Sequence, residues 1–185
     1  DVLVTNSTFD TCRAANGGGG VIVYGSNLNP SVQTNYFIGC NFTNCQGTGS
    51  ASLGGGALVQ EGAQAVFEDT GFYGCHTGSR GGAVGTPSGA QVVTLRRVLA
   101  SRCSSGERGG AFGLHGTARL VDTHIVECSS FDAGGALDLK QPLDFQMRGG
   151  SIDRCVATNP TGFGEGAAYW AFNGASVTFI GVDII

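Results

Sequence analysis

Six of the seven cysteines stand in register: Cys12, Cys45, Cys75, Cys103, Cys128 and Cys155, at steps of 33, 30, 28, 25 and 27 residues. Thiols repeated in this way have two uses. If equivalent residues of successive repeats lie one strand spacing apart, about 4.8 Å, their Cα atoms fall inside the roughly 4.4–6.8 Å that a disulfide needs. Either neighbouring cysteines then pair, or the column lines an interior as small, weakly polar side chains. Cys40, five residues before Cys45, is the odd one. Zinc fits poorly, because no Cys-x-x-Cys pair occurs and His76, His115 and His124 show no ligand spacing. No cofactor is expected.

The carboxylates are the next candidates for chemistry. A polysaccharide lyase or glycoside hydrolase sets two or three acids, or Asp with Arg and calcium, on one face. Here Glu68-Asp69, Asp122, Glu127, Asp138, Asp144 and Asp153 are spread over different repeats. The chain is therefore read as non-enzymatic. Asp122 and His124, alternating on one strand, come nearest to a catalytic pair, but two solvated side chains are the plainer reading. Arg96, Arg102, Arg119, Arg148 and Arg154 recur near equivalent positions and would make a basic stripe for a surface glycan. Glu68, Glu127 and Asp153 share those positions, which points instead to a mixed, solvated face. A net charge of −4 gives no signal for nucleic acid, and no apolar run approaches the roughly 20 residues of a membrane span.

What positions these residues is a repeat. Three residues before each cysteine of the column stands Phe9, Phe42, Phe72, Ala100, Ile125 or Ile152, and eight before stands Val4, Phe37, Phe67, Leu95, Leu120 or Met147. After each cysteine comes a glycine step into a short hydrophobic run: Gly19-Gly20-Val21-Ile22, Gly55-Gly56-Ala57-Leu58, Gly81-Gly82-Ala83-Val84, Gly109-Gly110-Ala111-Phe112, Gly134-Gly135-Ala136-Leu137, and a degenerate Glu165-Gly166-Ala167-Ala168. The step varies while the motif survives, as expected of a fixed rung joined by loops that absorb the drift. The longest loops are expected at Gly25 to Thr34, Gln46 to Leu53 and Val156 to Gly164. No window carries apolar residues at helical spacing, and the runs are short, alternating and rich in Val, Ile, Phe and Thr. The chain reads as all-β.

A unit of 25 to 33 residues with three strand-like runs is what one turn of a parallel β-helix needs. One unit cannot bury its apolar face alone; stacking closes a continuous core. On this geometry Phe9, Phe42 and Phe72 stack, followed by Ala100, Ile125 and Ile152. The glycine pairs are corners, where φ > 0 or a close backbone approach is easiest without a Cβ. The expectation is a single β-helix domain over 1–185, of about six coils and roughly 30 Å long. Phe179 and Ile184 start a seventh rung, and no capping segment is expected at either end. The domain is thus read as a protomer, or a segment of a longer array.

The Phe-x-x-small/polar and Gly-Gly-Ala-apolar alternation resembles the repeat of the chlamydial polymorphic outer-membrane proteins, and more broadly that of right-handed parallel β-helix repeat proteins. The likeness covers nearly the whole chain, with Cys where that repeat has Asn. It implies an extracellular or cell-surface adhesive, structural protein. Two sequons, Asn6-Ser7-Thr8 and Asn41-Phe42-Thr43, mark Asn6 and Asn41 as N-glycosylation sites in a eukaryotic source. The partner expected first is a second copy, stacked end to end into a fibril or stalk. A carbohydrate-active enzyme or a surface-glycan-binding module is the alternative.

Overall fold

The computed structural model describes residues 1–25, 33–89, 91–140, 144–159, 166–172 and 175–185. Most of the loops expected after Gly25 and after Val156, and Glu165 of the degenerate corner, lie outside the described residues. The chain is a right-handed parallel β-helix without a helix among the described residues. All strand pairings are parallel, and each strand pairs with its equivalents one repeat away. The described residues complete about five turns. The sequence suggests about six coils from its six cysteine rungs, but six rungs bound only five intervals. Coils are numbered here one to six by their cysteines.

Three faces form the wall. Face A is a 12-stranded sheet with a bend along it. Its first limb stacks Leu3–Thr5, Thr34–Ile38, Gln64–Glu68 and Val92–Arg96; its second stacks Thr8–Asp10, Asn41–Thr43, Gly71–Tyr73 and Leu99–Ser101. Both limbs run into the continuous strands Thr117–Val126 and Asp144–Asp153. Face B stacks six two-residue strands, from Arg13–Ala14 to Val156–Ala157. Face C stacks Val21–Val23, Ala57–Val59, Val84–Gly85, Phe112–Leu114, Leu137–Lys140 and Tyr169–Phe172.

The two apolar columns read from the sequence are in register. Val4, Phe37, Phe67, Leu95, Leu120, Met147 and Phe179 follow one another up the first limb of face A. Phe9, Phe42, Phe72, Ala100, Ile125, Ile152 and Ile184 follow up the second. Phe42 stacks on Phe9 at 4.6 Å and on Phe72 at 4.8 Å, within the range of favourable offset aromatic pairs. The inner side of face B is different: Thr77, Ser105 and Ser130 are buried there, with Thr77 donating to the Ser52 carbonyl at 2.7 Å and Ser130 to that of Ala133 at 2.9 Å.

At the bend within face A and at the one leading to face B, each coil turns through a left-handed residue. Asn6, Gly39, Asp69, Arg97, Asp122, Gly149 and Gly181 occupy the bend of face A, and Thr11, Asn44, Gly74, Arg102, Glu127 and Arg154 the bend between A and B, all with φ between 47 and 66°. A left-handed backbone costs a non-glycine residue about 1–2 kcal/mol, so these columns need compensation. Two devices supply it. An Asx side chain lies over the next coil where that coil has glycine: Asn6 Oδ1 is 2.5 Å from where a Gly39 Cβ would sit, and Asn44 Oδ1 is 2.7 Å from that of Gly74. Elsewhere opposite charges stack, as Asp69 with Arg97, and Arg102 and Arg154 with Glu127.

The glycine corners correct the sequence alignment by one residue in coils one, two and six. Ala57, not Leu58, is the partner of Val84, so the corner of coil two is Gly54-Gly55 and Gly56 lies beside Ala83. Val21 pairs with Ala57, which aligns Gly20 with Gly56 and Gly19 with Gly55. Tyr169 pairs with Leu137, so the coil-six corner is Gly166-Ala167-Ala168. The first position is left-handed at Gly54, Gly81, Gly109, Gly134 and Gly166. The second, Gly19, Gly55, Gly82, Gly110 and Gly135, admits no side chain: a Cβ on Gly82 would sit 2.6 Å from the Ser104 amide nitrogen. The third changes along the solenoid, from Gly20 and Gly56 to Ala83, Ala111 and Ala136.

Candidate functional site: a thiol column and a buried histidine–aspartate pair

The six cysteines follow the second left-handed bend and point inward, where their backbones bond coil to coil: the amide after each of Cys45, Cys75, Cys103, Cys128 and Cys155 donates to the carbonyl of the preceding cysteine at 2.8–3.0 Å. All seven cysteines are free thiols. Of the two uses that the register allows, pairing and lining the interior, the structure has the second, and the sulfurs serve as hydrogen-bond donors. From Cys45 onward each thiol shares its proton between the carbonyl two residues back and one in the coil before, as Cys75 does with Phe42 O at 3.3 Å and Cys103 with Phe72 O at 3.5 Å, while Cys12 has only Asp10 O. Cys40 shares this chemistry. It follows the first bend, in the place that Thr70 fills one coil later, and donates to Val4 O and Ile38 O at 3.6 Å where Thr70 uses its hydroxyl on Phe37 O and Glu68 O.

Burial, then the bonds to Cys128 and Cys75, push the Cys103 thiol well up. The bond to Cys75 raises Cys45, and the bond to Cys128 raises Cys155. Cys75 and Cys128, each bonded to two thiols, are pulled down, so a proton lost from this coupled set leaves from one of them. The carbonyl oxygens around every sulfur accept from S–H and repel a thiolate. From Cys45 to Cys155 the thiols are buried, a column of donors kept from solvent.

The remaining sequence candidates are dispersed. Asp122 and His124 are both exposed and not brought together: Asp122 is left-handed and lies over Gly149, while His124 Nδ1 meets Ser151 Oγ at 2.9 Å. His76 makes the same cross-coil contact with Ser104, at 2.9 Å. The arginines are interleaved with acids. Arg119 pairs with Asp144, and Arg154 with Glu127 and Asp153. Hydrogen bonds from Arg97 hold the Asp69 carboxyl below its usual range, and those from Arg102 and then Arg154 do so for Glu127. Asn6 and Asn41 are exposed, on the bend of face A and at the start of a strand. No three His, Cys, Asp or Glu side chains converge as a metal cage among the described residues, and no helix there is long and apolar enough to cross a membrane.

One cluster was not foreseen. The corner segments fold back over the outer side of face C, and Arg80 lies above Gly113, whose Cβ would be 3.0 Å from that of Arg80. In the room left by this glycine, His115 Nε2 meets Asp138 Oδ2 at 3.2 Å, with both side chains only 1% exposed. The His115 amide donates to Thr86 Oγ1 at 2.7 Å, and Gln91 Nε2 donates to the His115 carbonyl at 2.7 Å. Arg80 Nε lies 3.8 Å from Asp138 and 3.6 Å from Glu107, ion-pair contacts longer than hydrogen bonds. His115 Nδ1, Asp138 Oδ1 and Arg80 Nε are buried with no hydrogen-bond partner. Next to Asp138 in register is Trp170, which stacks on Phe172 at 5.2 Å and carries the Arg108 guanidinium 4.3 Å above its ring. The sequence signal was Asp138 itself, a lone carboxylate between two leucines of an apolar strand.

No family model matches this chain, and no curated protein or solved structure is significantly similar to it. Of the resemblance read from the sequence, the parallel β-helix is the part the structure shows.

Proposed function

We propose that this protein is an extracellular structural and adhesive element, a spacer that lengthens into a fibril or stalk by adding coils of its own cross-section at its ends, with N-glycans on Asn6 and Asn41. The carrying observation is the state of the two outermost coils. Phe42 and Phe72 are fully buried while their equivalent Phe9 is half-buried; Phe67 and Leu95 are fully buried while Phe179 is half-buried. Ile184, in the place of the buried Ile125, is 51% exposed. Among the described residues the outermost strands of the three faces have a strand neighbour on one side only, and further parallel strands would continue them beside these apolar side chains. A head-to-tail contact of this kind does not close on itself and so builds a filament.

Sedimentation velocity over a concentration series tests this. Head-to-tail oligomers growing with concentration are expected, and Ile184→Lys, which sets a charge in the contact, should return the protein to monomer. A monomer at every concentration overturns the reading. Intact-mass analysis of protein from its native source tests the glycans, and two unmodified asparagines would reject them.

A further inference from the structure

We infer that the outer surface of face C across coils three to six binds a neutral saccharide. Three observations converge there, independent of the axial reading above. The first is the orphaned polar atoms. His115 donates from Nε2 to Asp138, which leaves Nδ1 as an acceptor; Asp138 Oδ1 is a second acceptor and Arg80 Nε a donor. A set of nearby donors and acceptors without partners suits hydroxyl groups, each of which gives and takes one hydrogen bond. The second is charge balance: the cations Arg80, Arg108 and Lys140 are matched by Glu107, Asp132 and Asp138, with Arg108 bonded to Asp132 at 2.9 Å. An anion gains nothing from such a surface. The third is Phe172, 49% exposed and backed by the Trp170 ring on which it stacks, whose outer face suits the C–H face of a pyranose.

Access depends on Arg80, the cover of the niche. Its contacts of 3.6 and 3.8 Å are ion pairs without a hydrogen bond from Nε, and its side chain is 29% exposed, so it can turn aside while its guanidinium takes up a sugar oxygen. The sugar ring would lie on Phe172 with its hydroxyls towards Asp138 and His115. Gly113 lets this cover lie close, since a Cβ there would come within 3.0 Å of that of Arg80.

Trp170 is the only tryptophan in the chain, so its fluorescence reports on this site alone. Neutral oligosaccharides of glucose, galactose, mannose and N-acetylglucosamine would be titrated at millimolar concentration, with oligogalacturonate as the acidic counterpart. At least one neutral series should give a saturable change, and the acidic one should not. Phe172→Ala should weaken that binding about tenfold, and Asp138→Asn by a similar factor, with the thermal melt of the Phe172 variant unchanged. The proposal is overturned if no neutral series responds, if oligogalacturonate binds as well, or if Phe172→Ala leaves the affinity intact. Should Asp138→Asn not fold, the exposed Phe172 still decides the matter. Sedimentation, which tests the axial reading, is blind to all three outcomes.

Discussion

Coils one to three and coils four to six fill the same cross-section with different pairs of residues. In the first half the inward column of face A is phenylalanine, and the facing corner position one coil earlier is glycine: a Cβ on Gly20 would lie 2.8 Å from the Phe42 ring, and one on Gly56 2.6 Å from that of Phe72. In the second half Ala100, Ile125 and Ile152 face Ala83, Ala111 and Ala136. A large side chain is accommodated by deleting a methyl from its neighbour, and a smaller one by restoring it. The outside divides in a similar place. The bends of the early coils are compensated by asparagine over glycine, those of the later coils largely by arginine and acid. What looks like one repeat is two packing solutions on a common backbone.

The largest expected effect would show where the halves do not differ. Gly82→Ala puts a Cβ against backbone atoms of the next coil that cannot move aside, and should cost roughly 4 kcal/mol or abolish folding. Chemical denaturation measures it; a variant of near-normal stability would mean that the backbone yields and that the column of second glycines is not the common element. The sharpest test of the difference itself is a double-mutant cycle. Gly56→Ala alone overpacks against Phe72 and Phe72→Ile alone leaves a void, each costing about 2 kcal/mol. Together they rebuild the arrangement of coils four and five, so a favourable coupling of about 1–2 kcal/mol is expected, and simple additivity would break the comparison.

A smaller effect belongs to the thiols, which cross the boundary unchanged. Cys103→Ser keeps a donor for Phe72 O and Ser101 O, as Thr70 does at the neighbouring bend, and should cost about 1 kcal/mol, less than Cys103→Ala, which removes that side-chain donor and leaves a small void. In the native state a thiol reagent should label the half-buried Cys12 and spare the rest until denaturation. Equal labelling of all seven would refute the inert column. The smallest effect is the acid sensitivity of the charged bends. Asp69 and Glu127 have folded-state values below their unfolded ones, so their contribution is whole above about pH 4.5 and fades as pH falls through the folded values. Both are exposed, so the drop in melting temperature should be slight, and smaller still in Arg97→Gln.

The fold was legible because a period-two pattern recurred against fixed landmarks. Val4 to Phe179 and Phe9 to Ile184 were placed in their columns by counting back from each cysteine, since rungs keep their length while loops vary. Corners were less legible. Gly55-Gly56 reads like Gly81-Gly82 as a string, but Gly56 is glycine for the sake of the Phe72 ring, a long-range demand that no local motif carries. The thiols were legible only as two alternatives. Register alone permits a disulfide, and only the carbonyls around each sulfur, set by the left-handed residue before it, disclose why a small donor is wanted. The His115–Asp138 pair was out of reach, because it depends on corner segments folding back over face C and on the bare surface of Gly113.

The short strands of face B give the molecule a mechanical grain. Hydrogen bonds between coils run along the axis, so a pull on the two ends loads them in tension, coil after coil in series. Face A shares that load over strands of up to ten residues, while face B meets it with two. Its hydroxyl-lined inner side also has the least apolar surface to hold it shut. Under force the solenoid should therefore open first along that seam, hinge on face A, and lengthen in steps of one coil.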